Sequence, residues 1–115
     1  MGKPSRDKGA RFEREVVGLM QAQGFGAERV PLSGAAGGRF RCDVSFPFLH
    51  RDRLIECKVR ADGFRELYSW LTDAWALVVK ADRRKPLVVL PLDEFLRIAA
   101  IAEGRGKAEP ERDAA

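Results

Sequence analysis

Two stretches in the middle of the chain alternate strictly between apolar and polar side chains. In Arg41-Cys42-Asp43-Val44-Ser45-Phe46-Pro47-Phe48 the even positions are Cys42, Val44, Phe46 and Phe48, and the odd ones carry Asp43, Ser45 and Pro47. A period of two is the mark of a strand with one buried face. From Arg53 to Arg60 the phase is reversed: Ile55, Cys57 and Val59 are apolar, while Glu56, Lys58 and Arg60 are polar. Leu49-His50-Arg51-Asp52 is a short polar connection, so the two stretches predict an antiparallel hairpin. A four-residue loop would oppose Phe48 with Arg53 and Asp43 with Lys58; a register shifted by two would oppose Asp43 with Glu56. Either register sets Asp43, Glu56 and Lys58 on one face, whereas a slip by one residue would bury the carboxylates and expose the phenylalanines. A solvated hairpin face with cross-strand opposite charges would show the same residues.

Upstream, the spacing predicts a helix over residues 6–23, with Phe12, Val16, Val17, Leu19 and Met20 as its apolar stripe, Ser5 as cap and Gly24 as stop. At about 100° per residue from Phe12, Glu13 falls near 100°, between Met20 near 80° and Val17 near 140°. A carboxylate inside an apolar stripe is costly unless it is paired, protonated or bound to a metal. An ion pair with an arginine or a rim position reaching water would explain it as well as a metal. Glu15, near −60° on the same scale, reads as ordinary surface charge.

The remaining elements follow the same logic. Residues 25–32 read as an edge strand with Pro31 near its end. The glycine-rich run Ser33-Gly34-Ala35-Ala36-Gly37-Gly38-Arg39 could approach phosphates closely, with Ser33, Arg39 and Arg41 as contacts, or be a plain connector. Asp62 is placed to cap a helix with the stripe Phe64, Leu67, Tyr68 and Leu71; Trp70 falls off that stripe, which suits either an interface or packing on a neighbouring element. Residues 75–80 and 86–91 read as strands joined by the basic turn Asp82-Arg83-Arg84-Lys85, a DNA contact or a solvated turn. Asp93 is placed to cap a last helix carrying Phe95, Leu96, Ile98 and Ile101, and residues 104–115 read as a charged, disordered tail.

Composition narrows the class. With 115 residues, 45% of them hydrophobic, the chain has material for one core, and residues 1–103 are expected to form a single domain. The net charge of +4 is uneven: residues 1–65 hold 13 Lys/Arg against 8 Asp/Glu, and residues 66–115 hold 8 against 9. The basic half therefore contains the acidic hairpin face, which suits a polyanion brought to a metal. No apolar run is long enough for a membrane span and no signal-peptide core opens the chain, so an intracellular protein of the cytoplasm or nucleoid, a phage-infected cell included, is expected. Cys42 and Cys57 share the apolar face and are read as reduced core thiols, a cross-strand disulfide being the alternative. Arginine outnumbers lysine fifteen to six and asparagine is absent, as a GC-rich or heat-adapted genome would give.

Three carboxylates and a lysine have a chemical logic of their own. Mg²⁺ takes about six oxygens and keeps several waters, leaving room for a phosphate and a nucleophilic water. Lys58 would then orient that water or stabilise the charge growing on phosphorus. Two cysteines and one histidine are too few and too scattered for a tetrahedral zinc site.

Lys8-Gly9-Ala10-Arg11-Phe12-Glu13-Arg14-Glu15-Val16, followed by Gly24-Phe25, Arg29, Cys42-Asp43-Val44 and Ile55-Glu56-Cys57-Lys58, closely resembles the archaeal-type Holliday junction resolvases of the PD-(D/E)-x-K nuclease superfamily. The resemblance runs from about Lys8 to Pro91. It implies an α/β fold with a mixed central β-sheet flanked by helices, a restriction-endonuclease-like nuclease core. It implies Glu13, Asp43 and Glu56 as metal-binding acids, the Cys57 carbonyl as a further ligand and Lys58 as the catalytic lysine, serving Mg²⁺ for which Mn²⁺ would substitute. Arg14 and Arg29 match basic residues used on DNA, Ser33 matches a serine of a mobile loop, and Lys8, Arg39, Arg41 and Arg60 complete the expected DNA contacts. The implied activity is resolution of four-way DNA junctions by a homodimer through paired, symmetric hydrolysis. Cys42 stands where the superfamily's eponymous proline would be, and no glutamine follows Lys58 closely. A related nickase, a restriction-type nuclease or a non-catalytic DNA-binding subunit would share much of the pattern, while a pure interaction module would show no metal dependence.

Overall fold

The computed structural model describes residues 3–30 and 43–105, with side chains from Arg6 onward. Their order is α1 (Lys3–Ala22), β1 (Glu28–Arg29), β2 (Val44–Phe48), β3 (Arg51–Ile55), α2 (Arg65–Leu71), β4 (Leu77–Val79), β5 (Leu87–Val89) and α3 (Leu92–Ala102). The fold is α/β. Its described strands form two antiparallel sheets, β1-β2-β3 and β4-β5; the mixed central sheet expected from the resemblance is not seen among the described residues. The chain divides into two compact units, residues 1–59 with 96–115 and residues 60–95, the boundary falling inside α3.

In the first unit the alternation of β2 is realised: Val44 and Phe46 are fully buried, and Phe46 and Phe48 stack with ring centroids 5.5 Å apart. Phe25 joins them, 4.8 Å from Phe46, so three aromatic rings form the centre of this core. α1 packs on β1 and β2 and buries Val16 and Met20. Leu19, expected in the stripe, is largely exposed, so the buried face is centred on the side where Glu13 lies. α1 starts before Ser5, which is therefore inside the helix and not its cap.

The hairpin closes over two residues, not four. Phe48 opposes Arg51 and Val44 opposes Ile55, which is the register that carries Asp43 opposite Glu56. Leu49 and His50 both have positive φ, 52° and 67°, the requirement of a type I′ turn. Each costs about 1–2 kcal/mol for an L-residue with a side chain. The turn is tied down from outside, since the Leu49 amide donates to Glu103 Oε2 at 2.7 Å. That bond, followed by the Arg105 guanidinium, lowers the Glu103 pKa from its ordinary 4.5. A depressed carboxyl contributes stability above its unfolded pKa, so this tie is present at neutral pH and lost in acid.

Both long helices end on the same motif. Gly24, φ +90°, donates to the Gln21 carbonyl while the Phe25 amide reaches back to Met20 at 3.1 Å. Gly104, φ +79°, does the same with Ile101, and the Arg105 amide returns to Ala100 at 2.7 Å. These are Schellman ends, which glycine permits without a Cβ clash. Gly104 and Arg105, assigned from composition to the tail, thus belong to the fold; residues 106–115 lie outside the described residues. Arg105 also donates to the Gln23 carbonyl at 2.7 Å and lies 4.2 Å over the Phe25 ring.

In the second unit β4 and β5 pair with Val78 opposite Val88, and α2 packs on β4. Neither expected aspartate cap forms. Asp62 bonds the Arg65 guanidinium at 3.2 Å, with Phe64 at the N-cap, and Asp93 sits inside the first turn of α3, where the Pro91 carbonyl accepts from Glu94 and Phe95. Trp70 is 56% exposed, which favours the interface alternative over core packing. No helix among the described residues is long and apolar enough to cross a membrane.

Two glycines of α1 and its end should respond in opposite directions. Gly18 is mid-helix and an added Cβ meets nothing within 4 Å, so Gly18→Ala should stabilise by about 0.5–1 kcal/mol. At Gly24 the positive φ and a Cβ placed 2.5 Å from Arg105 Nη1 should make Gly24→Ala destabilise by about 1 kcal/mol or more. Urea unfolding of both variants checks the pair; a stabilised Gly24→Ala would refute the Schellman assignment.

Candidate nuclease site

Asp43 lies one residue before β2, and the chain uses it three times. Its amide donates to the Ile55 carbonyl and its carbonyl accepts from Val30, both at 2.9 Å, so the backbone is held from both neighbouring segments. Its Oδ2 accepts the Cys57 amide at 2.8 Å. β3 has ended at Ile55, so a carboxylate continues the hydrogen bonding where the backbone ladder stops. That bond fixes the Glu56-Cys57-Lys58 segment beside Asp43.

Glu56 and Lys58 point the same way, as expected for extended residues two apart, and the Lys58 ammonium lies 2.8 Å from Glu56 Oε2. Both side chains are about half exposed, so the pair adds little stability. Glu13 approaches from α1, its side chain 18% exposed, and its Oε1 takes Arg29 Nε at 3.0 Å and Nη2 at 2.9 Å. The carboxylate in the apolar stripe is ion-paired here, and Arg29, expected on DNA, is its partner.

Cys57 lies within electrostatic reach of all three acids. Its thiol is pushed up to about 11, first by burial and then by Asp43, Glu13 and Glu56 in that order. The thiol therefore stays protonated, and Cys57 is a free cysteine. Among the described residues no group of three or more His, Cys, Asp or Glu is gathered closely enough to hold a metal ion as they stand. The donor set of three acids suits a hard cation such as Mg²⁺ rather than a soft one.

Of the other expected residues, Arg14 is exposed and Lys8 partly so on α1, and Arg60 is exposed as the first residue of the second unit. Ser33, Arg39, Arg41 and Cys42 lie outside the described residues. Two roles escaped sequence reasoning. The acceptor role of Asp43 toward Cys57 depends on where β3 stops, which no pattern marks. The Arg29 partnership spans sixteen residues and two elements, so spacing carries no signal for it.

A family model described as archaeal Holliday junction resolvase (hjc) matches residues 4–95, a stretch containing Glu13, Arg29, Asp43, Glu56, Cys57 and Lys58. No curated protein and no solved structure matches the chain. With most of its length matched by that model, the chain belongs to the archaeal Holliday junction resolvase family.

Proposed function

We propose that this protein is a Mg²⁺-dependent, structure-selective DNA endonuclease that resolves four-way junctions by paired, symmetric phosphodiester hydrolysis. The observation that carries the reading is the juxtaposition of Asp43, Glu56 and Lys58 at the open end of the hairpin, with Glu13 close enough to act on the same thiol. Glu13, Asp43, Glu56 and the Cys57 carbonyl would hold Mg²⁺, with Mn²⁺ able to substitute. Bound there, the ion would supply Lewis-acid stabilisation of charge on the phosphate and favour a nucleophilic water. Lys58 then orients the attacking water or neutralises charge on the phosphate, and Arg29 holds Glu13 in place. Lys8, Arg14, Ser33, Arg39, Arg41 and Arg60 would contact the DNA backbone.

The ion pairing of Glu13, and the lack among the described residues of an acid group close enough to hold a metal, favour a second reading, a DNA-binding subunit without catalysis. Labelled four-way junction, flap, single-strand and linear duplex DNA, incubated with and without Mg²⁺ or Mn²⁺, separate the two. A related nickase or restriction-type nuclease would cut without preferring the junction.

Asp43→Asn retains an oxygen for the Cys57 amide, so the fold should survive while cleavage falls by about 10²-fold or more. Glu56→Gln should behave alike, and both should bind junctions normally in Ca²⁺. Near wild-type cleavage by either variant would sink the assignment.

Glu13→Gln should lose cleavage with a melting temperature lowered by only a few degrees, because the Arg29 pair is partly solvated. A folded variant with full activity and a large drop in melting temperature would identify a purely structural acid.

Resolution needs two incisions placed symmetrically, which a two-fold dimer supplies. Apolar area for such an interface is exposed at Tyr68 and Trp70 on α2 and at Ile98 on α3. Light scattering should give a dimer, and linear duplex should displace a bound junction only in large excess. A monomer, or equal affinity for the two DNAs, would turn the reading toward a nickase.

A further inference from the structure

The second unit concentrates its positive charge at one hairpin tip. Lys80 to Lys85 hold four Lys/Arg against one Asp, a net +3, whereas the rest of residues 60–95 hold two Lys/Arg against five Asp/Glu, a net −3. Every residue from Lys80 to Val88 is exposed. Among the described residues Arg83, Arg84 and Lys85 enter no ion pair, in contrast to Arg65, which is held by Asp62. The tip is also shaped: Arg83 has φ +63°, the Arg84 amide closes the turn on the Ala81 carbonyl at 3.1 Å, and Val79 and Leu87 oppose each other at its base. An open concavity of about 620 Å³ is lined there by Val79, Lys80, Ala81, Arg84, Lys85 and Leu87.

An apolar floor beneath three cations matches a sugar-phosphate strand, whose sugars offer apolar faces and whose phosphates carry the charge. We infer that the β4–β5 tip is a DNA-backbone contact in its own right, belonging to a different unit of the chain from the carboxylates, and that it grips a duplex arm of the substrate. The inference rests on the nuclease reading for its ligand but not for its residues. An arm held by phosphates alone carries no sequence information, as a structure-selective enzyme requires.

The test compares the full-length chain with Arg84→Ala/Lys85→Ala, leaving Arg83 and its left-handed backbone intact. Affinity for a fluorescent four-way junction in Ca²⁺ is measured from low to moderate NaCl, and single-turnover cleavage in Mg²⁺ at saturating protein. The variant should bind about 10-fold or more weakly, with the log Kd against log salt slope shallower by about 2, since each phosphate contact contributes about 0.9. Its cleavage rate once bound should be unchanged, and Arg84→Lys should keep the wild-type slope. Unchanged affinity and slope in a protein that cuts junctions would overturn the tip contact alone. Binding with the expected slope change but no cleavage by the wild type would leave the contact standing and defeat the nuclease reading. A wild type that binds no DNA, or a tip that captures acidic protein but not DNA, would overturn the inference too. Should the double variant fold poorly, Lys80→Gln/Lys85→Gln removes two charges from the same wall and is read in the same way.

Discussion

The register of the β2–β3 hairpin is the constraint on which the site depends. With Phe48 opposite Arg51, Asp43 comes level with Glu56, and its side chain can take the Cys57 amide that the ladder leaves behind. The alternative register would move Glu56 two residues along, about 7 Å, and break that bond. Choosing the tight register obliges Leu49 and His50 to adopt left-handed backbone, a cost of a few kcal/mol in all. Burial of Phe46 and Val44 on one side and the Leu49–Glu103 tie on the other offset it. Local strain at the turn is thus the counterpart of geometry at the opposite end of the same strands.

Much of this was legible because strand alternation reports burial directly. Val44 and Phe46 are buried and Glu56 and Lys58 share a side, as the period of two required, while Asp43 is tied to the same segment through the Cys57 amide. The place of the turn was legible in the polar run from Leu49 to Asp52, but its length was not: Leu49 is a poor residue for positive φ, and a partner fifty-four residues away holds it. Helix caps failed for a related reason. Asp62 and Asp93 have the right chemistry for caps, but Arg65 competes for one and the Pro91 carbonyl starts the helix ahead of the other. Charge in the stripe of α1 pointed correctly at Glu13 without naming its partner. Composition misassigned Gly104 and Arg105, since a polar residue after a glycine looks the same whether the chain frays or closes a Schellman end.

The electrostatics of the site are those of a negative cluster kept folded by local compensation. Asp43, Glu13 and Glu56 all press on the Cys57 thiol, yet each has its own donor: a backbone amide, Arg29 and Lys58. Without them, like charges on neighbouring segments would repel, by an amount that solvent reduces at the half-exposed Glu56. The compensating groups are not equivalent. The amide is fixed by the backbone, whereas the Lys58 side chain is flexible and half exposed, so it can leave Glu56 at small cost when a phosphate offers a better partner.

The segments that supply the acids are secured at their far ends by the same two residues. Glu103 holds the hairpin turn, and Arg105 holds the Gln23 carbonyl just past α1 and the Phe25 ring that follows. From Ala22 back to Glu13 the helix rises about 14 Å, and from Phe48 back to Asp43 the strand runs about 17 Å, so the two levers are of similar length. Because α1 is continuous between these points, its rotation at the Gln23 end is its rotation at Glu13. A shift of one residue there would turn Glu13 by about 100°, out of reach of Arg29 and of the hairpin acids. The salt bridge between Arg105 and Glu103 at 2.6 Å joins the two anchors, so Glu13 on α1 and Asp43 before β2 are both placed from the opposite ends of their segments.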